Sequence, residues 1–404
     1  MRILIHSNAP WSPSGYGQQT ALLAPRLRRL GHEVAISAFY GLHGSKLTWD
    51  GIDVYPAGIT PFGVDVVAGH AAMHKADLVL TLIDAWVMEP ERWAAFPWAS
   101  WTPIDHEPVP PPVAQKMAAC PFPIAMSRFG LEQLRELGHP RPLYAPHGYD
   151  PAVFKPDAAA GKRVRDWMNL PTDGPILGMV AANKGGFPSR KNIGFALEAF
   201  SSLVASGVDA YLYLHMHLDP AFGGVNVWQT VEALGIADRV RAADQYLNLT
   251  GQITSEFVNG VYNAVDALVN VSMGEGFGIP ILEAQAAGTP VITGDWTAMS
   301  ELTWCGWKLD RDTEALRVLT NSDAYMWFPH PSALADAMRQ ACEMRKPSEL
   351  QERAVAGAQP YQADVVAESH WRPLLEEIEA ALKPRDRAVR TFRVRDLAAK
   401  EATT

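Results

Sequence analysis

The stretch from Glu275 to Glu283, EGFGIPILE, sets two carboxylates around glycines 276 and 278 and a proline at 280. A strand ends before it near Ser272, Pro280 suits the first turn of a helix, and Gly288 suits its end. The N-terminus of such a helix offers free N–H groups to an anion, and glycines let a phosphate come close. Glu283 falls about one turn inside this helix among Ile281, Leu282, Ala284 and Ala286, where a carboxylate needs hydroxyl or N–H donors. Carboxylates bracketing an anion site suit a ligand rich in both hydroxyls and phosphate, which is the chemistry of a sugar nucleotide. The plainer alternative is a glycine turn with one surface and one helix-capping glutamate.

Further candidates lie elsewhere in the chain. Lys184, Arg190 and Lys191 crowd the loop NKGGFPSRK before a helix, although cations at a helix N-terminus oppose its dipole. Fixed cations aimed at a departing diphosphate would lower its barrier. Gly15 and Gly17 interrupt PSGYGQQ, a loop between a first strand and a first helix. His106 follows the strand WTPID, with Asp105, Glu107 and Asp84 as weaker neighbours at the same rim. Trp11, Tyr16, Trp86 and Trp93 are aromatic candidates for stacking on a sugar or base.

The elements that must position these groups alternate strand and helix. MRILIHSN, a glycine loop, a helix over TALLAPRLRRLG and a strand at Val34 to Ala38 make one βαβ unit. ADLVLTLID, WASWTPID and PFPIAMS continue the strands. A polar stretch, residues 155–174, reads as a linker, after which PILGMVAA starts a second strand and helix series. The expected architecture is α/β, two doubly wound parallel-sheet domains facing a central cleft, with the first at 1–155, the second at 156–365, and a terminal helix with a basic tail at 366–404.

Three segments carry a resemblance to glycosyltransferase family 4. EGFGIPILEAQAAGTPVI resembles its E-x7-E signature, ANKGGFPSRKNIGFALEAF its basic phosphate pair, and MSRFGLEQLRELGHPRPLYAPHGYDPAVFKP its domain-closing segment. The similarity runs in order from about residue 2 to about 310 and fades beyond Leu309. It implies a GT-B fold and a retaining, metal-independent transfer of sugar from a UDP- or GDP-sugar to an acceptor hydroxyl. On this resemblance Glu275 contacts the donor sugar, Gly276, Phe277 and Gly278 bring loop amides to sugar and phosphate, and Glu283 holds the ribose. Lys191 meets the diphosphate together with either Lys184 or Arg190, because the family's first basic position is displaced here. Gly15 and Gly17 approach phosphate or acceptor, and His106 lies beside the anomeric carbon. The acceptor stays open: a small molecule, glycan, lipid, protein or modified nucleic-acid base. An epimerase or phosphorylase on the same fold and a non-catalytic sugar-nucleotide binder are the rival readings.

Composition narrows the rest. At 404 residues, 48% hydrophobic and 20% charged, the chain has room for two cores and lacks the long apolar runs of a membrane protein. Its three cysteines are far apart and favour a reducing compartment, so a cytoplasmic protein is expected. The N-terminal apolar run is too short for a secretory signal. Net charge is −9, against a general polyanion binder, yet Lys383 to Lys400 holds seven basic and two acidic residues. That tail is a candidate contact for a membrane surface or nucleic acid. No DxD string stands before a β-rich region as a metal-dependent GT-A enzyme would want, His215 and His217 lack further ligands at plausible spacing, and no metal or cofactor is expected beyond the donor itself.

Overall fold

The computed structural model describes residues 1–171, 173–185, 189–220 and 223–383. The basic residues from Arg385 to Lys400 lie outside the described residues.

Eight strands form the first sheet: β1 (Arg2–Asn8), β2 (Glu33–Tyr40), β3 (Leu47–Trp49), β4 (Ile52–Tyr55), β5 (Leu78–Leu82), β6 (Trp98–Thr102), β7 (Phe122–Ala125) and β8 (Leu143–Tyr144). Their spatial order is β3-β4-β2-β1-β5-β6-β7-β8. All pairs are parallel except β3 with β4. Ile3, Leu4 and Ile5 on β1 and all of β5 are buried, because helices cover both faces and leave no solvent side for alternation.

The second sheet contains β9 (Ile176–Val180), β10 (Tyr211–His215), β11 (Val240–Ala242), β12 (Ala267–Asn270), β13 (Val291–Gly294) and β14 (Gly306–Leu309) in the order β11-β10-β9-β12-β13-β14. All five pairings are parallel. Strand order reverses between β1 and β5 in one sheet and between β9 and β12 in the other. Such reversal leaves a crevice at the C-terminal strand ends, where ligands of doubly wound sheets bind. The loops after β1, β5, β9 and β12 therefore hold Gly15, Asp84, Arg190 with Lys191, and Glu275 respectively.

Two features were not expected from the sequence. The polar stretch read as a linker contains a helix, Ala158–Trp167, capped by Asp157, whose side chain accepts from Ala160 N at 2.8 Å. Its Gly161 lies so close to the helix Ser255–Ala264 that a Cβ would stand 2.8 Å from the Asn263 carbonyl carbon. This stretch is polar because only one face is buried. An antiparallel hairpin, β15 (Ala315–Leu319) and β16 (Tyr325–Pro329), follows β14 where the family resemblance fades. Helices at Pro331–Met344 and Ser348–Ala358 complete this part.

The chain then returns to the first sheet. Ala363 N donates to Tyr149 O at 2.9 Å, Arg26 Nε to Asp364 Oδ1 at 2.9 Å, and buried Trp371 meets Trp101 edge-on at 4.8 Å. The segment ends in the amphipathic helix Arg372–Leu382.

The domains touch directly at the strand-end loops. A Cβ on Gly274 would stand 2.1 Å from Asp105 O, and one on Gly276 would stand 2.2 Å from Pro103 Cβ and 2.7 Å from its Cα. These glycines let the loop after β12 lie on the backbone after β6. Replacing Gly276 with Ala is expected to hold the domains apart while each sheet stays folded. Small-angle scattering should then report a larger radius of gyration than for the parent chain, and an unchanged radius would show that the contact yields.

Candidate active site

Glu275 is the centre of the interdomain cluster. Its carboxylate is buried at 6% residue exposure, and it survives there because donors surround it. Lys191 Nζ pairs with Oε1, which also accepts from Ser272 Oγ at 2.6 Å. Arg190 Nη1 lies 3.5 Å from Oε2. Burial alone would raise the carboxyl's pKa, but Lys191 and Arg190 outweigh it and hold Glu275 below its ordinary value. The backbone is fixed too, since Glu275 N donates to Thr297 Oγ1 at 3.0 Å. Thr297 is β-branched yet sits at φ +52°, a strained conformation of the kind retained at functional sites.

Arg190 reaches further. Its Nη1 donates to Gly274 O at 2.5 Å and lies 3.7 Å from Asp105 Oδ2 across the cleft. Asp105 Oδ1 and His106 Nδ1 are 2.6 Å apart. Burial pushes the Asp105 carboxyl up, while His106, Arg190 and Lys191 bring it below the usual value. An ionised Asp105 accepts, so Nδ1 carries a hydrogen and Nε2 of His106 remains as the ring's other polar atom. Asp84 lies behind this group with Oδ1 accepting from Tyr16 OH at 3.0 Å. Its carboxyl is raised by burial and by Asp105, against the Tyr16 hydrogen bond and the charges of Arg190 and Lys184.

The structure thus brings together His106, Arg190, Lys191 and Glu275 with the weaker candidates Asp84 and Asp105. Lys184 forms no ion pair with Glu275: it is exposed, its charge reaches Asp84, and its loop is held by Asn183, whose Nδ2 donates to His217 O at 2.8 Å and Val225 O at 2.7 Å. Gly278 begins the helix Ile279–Ala286 at φ +105°, a conformation that favours glycine. Phe277 turns its ring away into an aromatic seam on His147, at 5.0 Å, and Tyr361, so only its backbone faces the loop. Gly15 meets the second domain, its Cβ position lying 3.1 Å from Ile279 Cδ1. Gly17 answers a local need, because a Cβ there would stand 2.5 Å from Ser12 O. Of the aromatic candidates, Trp93 is core, Tyr16 is held by Asp84, and Trp11 and Trp86 are exposed.

Ser272 and Thr297 were missed, since a serine ending a strand and a threonine opening a helix look ordinary until the backbone folds around Glu275. The hairpin was missed as well. Tyr325 N donates to Glu107 O at 2.8 Å, Arg311 Nη1 lies 3.6 Å from Glu107 Oε2, and Trp327 N donates to Met273 O at 3.1 Å. One strand of the second domain therefore touches the loop of His106 and the loop of Glu275 together. Among the described residues no group of three or more His, Cys, Asp or Glu could hold a metal, and no helix is long and apolar enough to cross a membrane.

Glu283 is buried at 7% exposure, and its Oε2 accepts from Tyr262 OH at 2.9 Å. Burial pushes its pKa up to about 8, against the pull of Tyr262. The folded state thus holds a proton that an unfolded carboxyl loses near its ordinary value of 4.5, and folding stability falls as pH rises from there towards 8. Glu283→Gln removes that loss. Denaturant midpoints should show the variant gaining on the parent between pH 5 and pH 8 by at least about 1 kcal/mol, the equivalent of one pKa unit. A difference that does not vary with pH would mean that Glu283 ionises normally.

Residues 176–343 match the family model described as Glycosyl transferases group 1. A curated relative, "Uncharacterized glycosyltransferase 335" of Sulfolobus islandicus rod-shaped virus 1, is 26% identical over 187 residues, covering 46% of this chain and 51% of that protein. The chain spans about half the length of the curated relative it matches. Sucrose-phosphate synthase of Thermosynechococcus elongatus superposes with a TM-score of 0.71 at 18% identity, covering 94% of this chain and 100% of that one. Anabaena HepE in complex with UDP and glucose gives 0.68 at 15% identity, with 94% and 100% covered. The fold is therefore GT-B, and residues 176–343 are similar to the Glycosyl transferases group 1 family.

Proposed function

We propose that this protein is a retaining glycosyltransferase that moves a sugar from a UDP- or GDP-sugar to an acceptor hydroxyl in the cleft. The observation that carries this reading is the buried Glu275, paired with Lys191 and Arg190 where the two sheets' switch points face each other. A nucleotide-sugar donor also agrees with the group 1 domain and with HepE, whose structure holds UDP and glucose.

In this reading the diphosphate lies at Lys191 and Arg190, and Arg190 takes the displaced basic position because it already contacts Glu275, whereas Lys184 stands outside that pair. Glu275 and Nε2 of His106 orient the transferred sugar by its hydroxyls, Gly276 to Gly278 present backbone amides, and Glu283 receives a ribose hydroxyl on the oxygen that Tyr262 leaves free. The acceptor oxygen bonds to the anomeric carbon on the face that the diphosphate leaves, and its proton passes to a departing phosphate oxygen. The charge gained by that leaving group is met by two fixed cations, so no metal is required. The three cysteines are buried free thiols, in keeping with action in the reducing cytoplasm.

Nucleotide release from a panel of UDP- and GDP-sugars tests the assignment. Lys191→Ala and Glu275→Ala should each lower release by about 10²-fold or more, and EDTA should leave the parent rate unchanged. Full activity in folded Lys191→Ala would remove the proposed role of the cluster, and an epimerised donor without transfer would place the chain among the epimerases.

A further inference from the structure

Two aromatic side chains stay in solvent at the C-terminal edge of the first sheet. Trp86 is 60% exposed and Phe62 36%, and their rings meet edge-to-face at 5.8 Å. Phe62 is held there against its own backbone preference, at φ +61°. Its carbonyl oxygen accepts from His6 Nε2 at 2.8 Å, so the other ring nitrogen is an acceptor and lies 3.0 Å from Ser37 Oγ. Ser37 Oγ in turn is 2.9 Å from His70 Nδ1. A buried polar chain on β1 and β2 thus supports a strained turn that holds the Phe62 ring at the surface. Strain of this kind persists where the surroundings enforce it, and it marks ligand sites.

Two residues before Trp86 stands Asp84. Tyr16 OH occupies its Oδ1, and Oδ2 has no hydrogen-bond partner among the described residues. An aromatic platform beside a carboxylate oxygen held in a fixed direction matches a sugar ring, which has an apolar C–H face and a rim of hydroxyl donors. The charge of the rim limits the choice further. Residues 59–66 and 84–92 carry Asp65, Asp84, Glu89 and Glu91 against Arg92, and although Arg190 and Lys184 act on Asp84 from the second domain, Asp65, Glu89 and Glu91 leave the outer rim acidic and disfavour phosphate there.

We propose that the loops after β4 and β5 form the acceptor subsite, and that its occupant is an uncharged polyhydroxylated chain, an oligosaccharide end. Its ring face lies on Trp86 and Phe62 and one hydroxyl donates to Asp84, with Tyr16 as the positioning residue. The proposal rests on the transfer reading above and adds the acceptor's class. A nucleic-acid strand is disfavoured by the same carboxylates.

Binding and turnover test it separately. The full chain, with Trp86→Ala and Asp84→Asn variants shown to melt like the parent, is titrated with uncharged gluco-, manno-, galacto- and xylo-oligosaccharides. Phosphorylated sugars and single-stranded DNA serve as anionic counterparts. At least one uncharged series is expected to bind, with affinity falling about tenfold in each variant and little binding of the anions. In transfer, the acceptor KM should rise by a similar factor while the donor KM stays within about twofold. Tyr16→Phe should weaken acceptor binding less than Asp84→Asn. Preference for DNA or sugar phosphates, no binding of any uncharged series, or affinity unchanged from the parent in both variants overturns the subsite. Oligosaccharide binding that depends on Trp86, in a chain that releases no nucleotide, would uphold the subsite and discard the transfer reading. Transfer whose acceptor KM ignores both variants would do the reverse.

Discussion

A carboxylate taken out of water must be given charge and hydrogen bonds in return, and in this molecule that constraint falls on Glu275. Lys191, Arg190 and Ser272 meet it from the second domain, and Arg190 carries the charge on to Asp105 of the first. The glycines on either side of Glu275 are glycines because the backbone after β6 leaves no room for a side chain. Thr297 accepts a strained conformation to hold the Glu275 amide. The seam between the domains is thus arranged around one buried anion, and an anionic ligand arriving there would compete with Glu275 for the same cations.

That arrangement also explains how closure is stiffened. The contact of the two domains at Glu275 is small, but β16 lies against both Glu107 and Met273, and Trp327 packs on Trp296 with the rings 6.3 Å apart. Trp296 in turn donates from Nε1 to Ser272 O at 2.9 Å. At the far side the returning segment places Trp371 on Trp101, whose ring lies tilted against His147 at 4.4 Å, and His147 meets Phe277 of the loop after Glu275. Phe277 is therefore a packing residue, and its backbone is what the loop presents.

Much of this was legible in the sequence, for physical reasons that differ by element. The strands stood out because parallel strands covered on both faces must be continuously apolar, as in β1 and β5. Glu275, Lys191 and His106 were legible because polar residues at strand ends in a doubly wound fold fall at one crevice. The helix at 158–167 was not, since its apolar stripe is thin and its polar face reads as a linker. The hairpin β15–β16 was hidden because β15 is largely exposed and both strands lie beyond the family resemblance. Arg190 and Lys184 were equivalent on paper, and only the path of the loop past Asn183 separates them. Partners such as Thr297 and Ser272 are common residue types whose importance comes entirely from what folds against them.

If the cations beside Glu275 bind a nucleoside diphosphate, thermal melting with and without UDP or GDP will show it. A ligand at a hundredfold excess over its dissociation constant stabilises the folded state by about 2.7 kcal/mol. One of the two nucleotides should raise the melting temperature of the parent chain by several degrees and have no effect on Lys191→Ala. An equal shift in both proteins would place the nucleotide elsewhere and contradict the account.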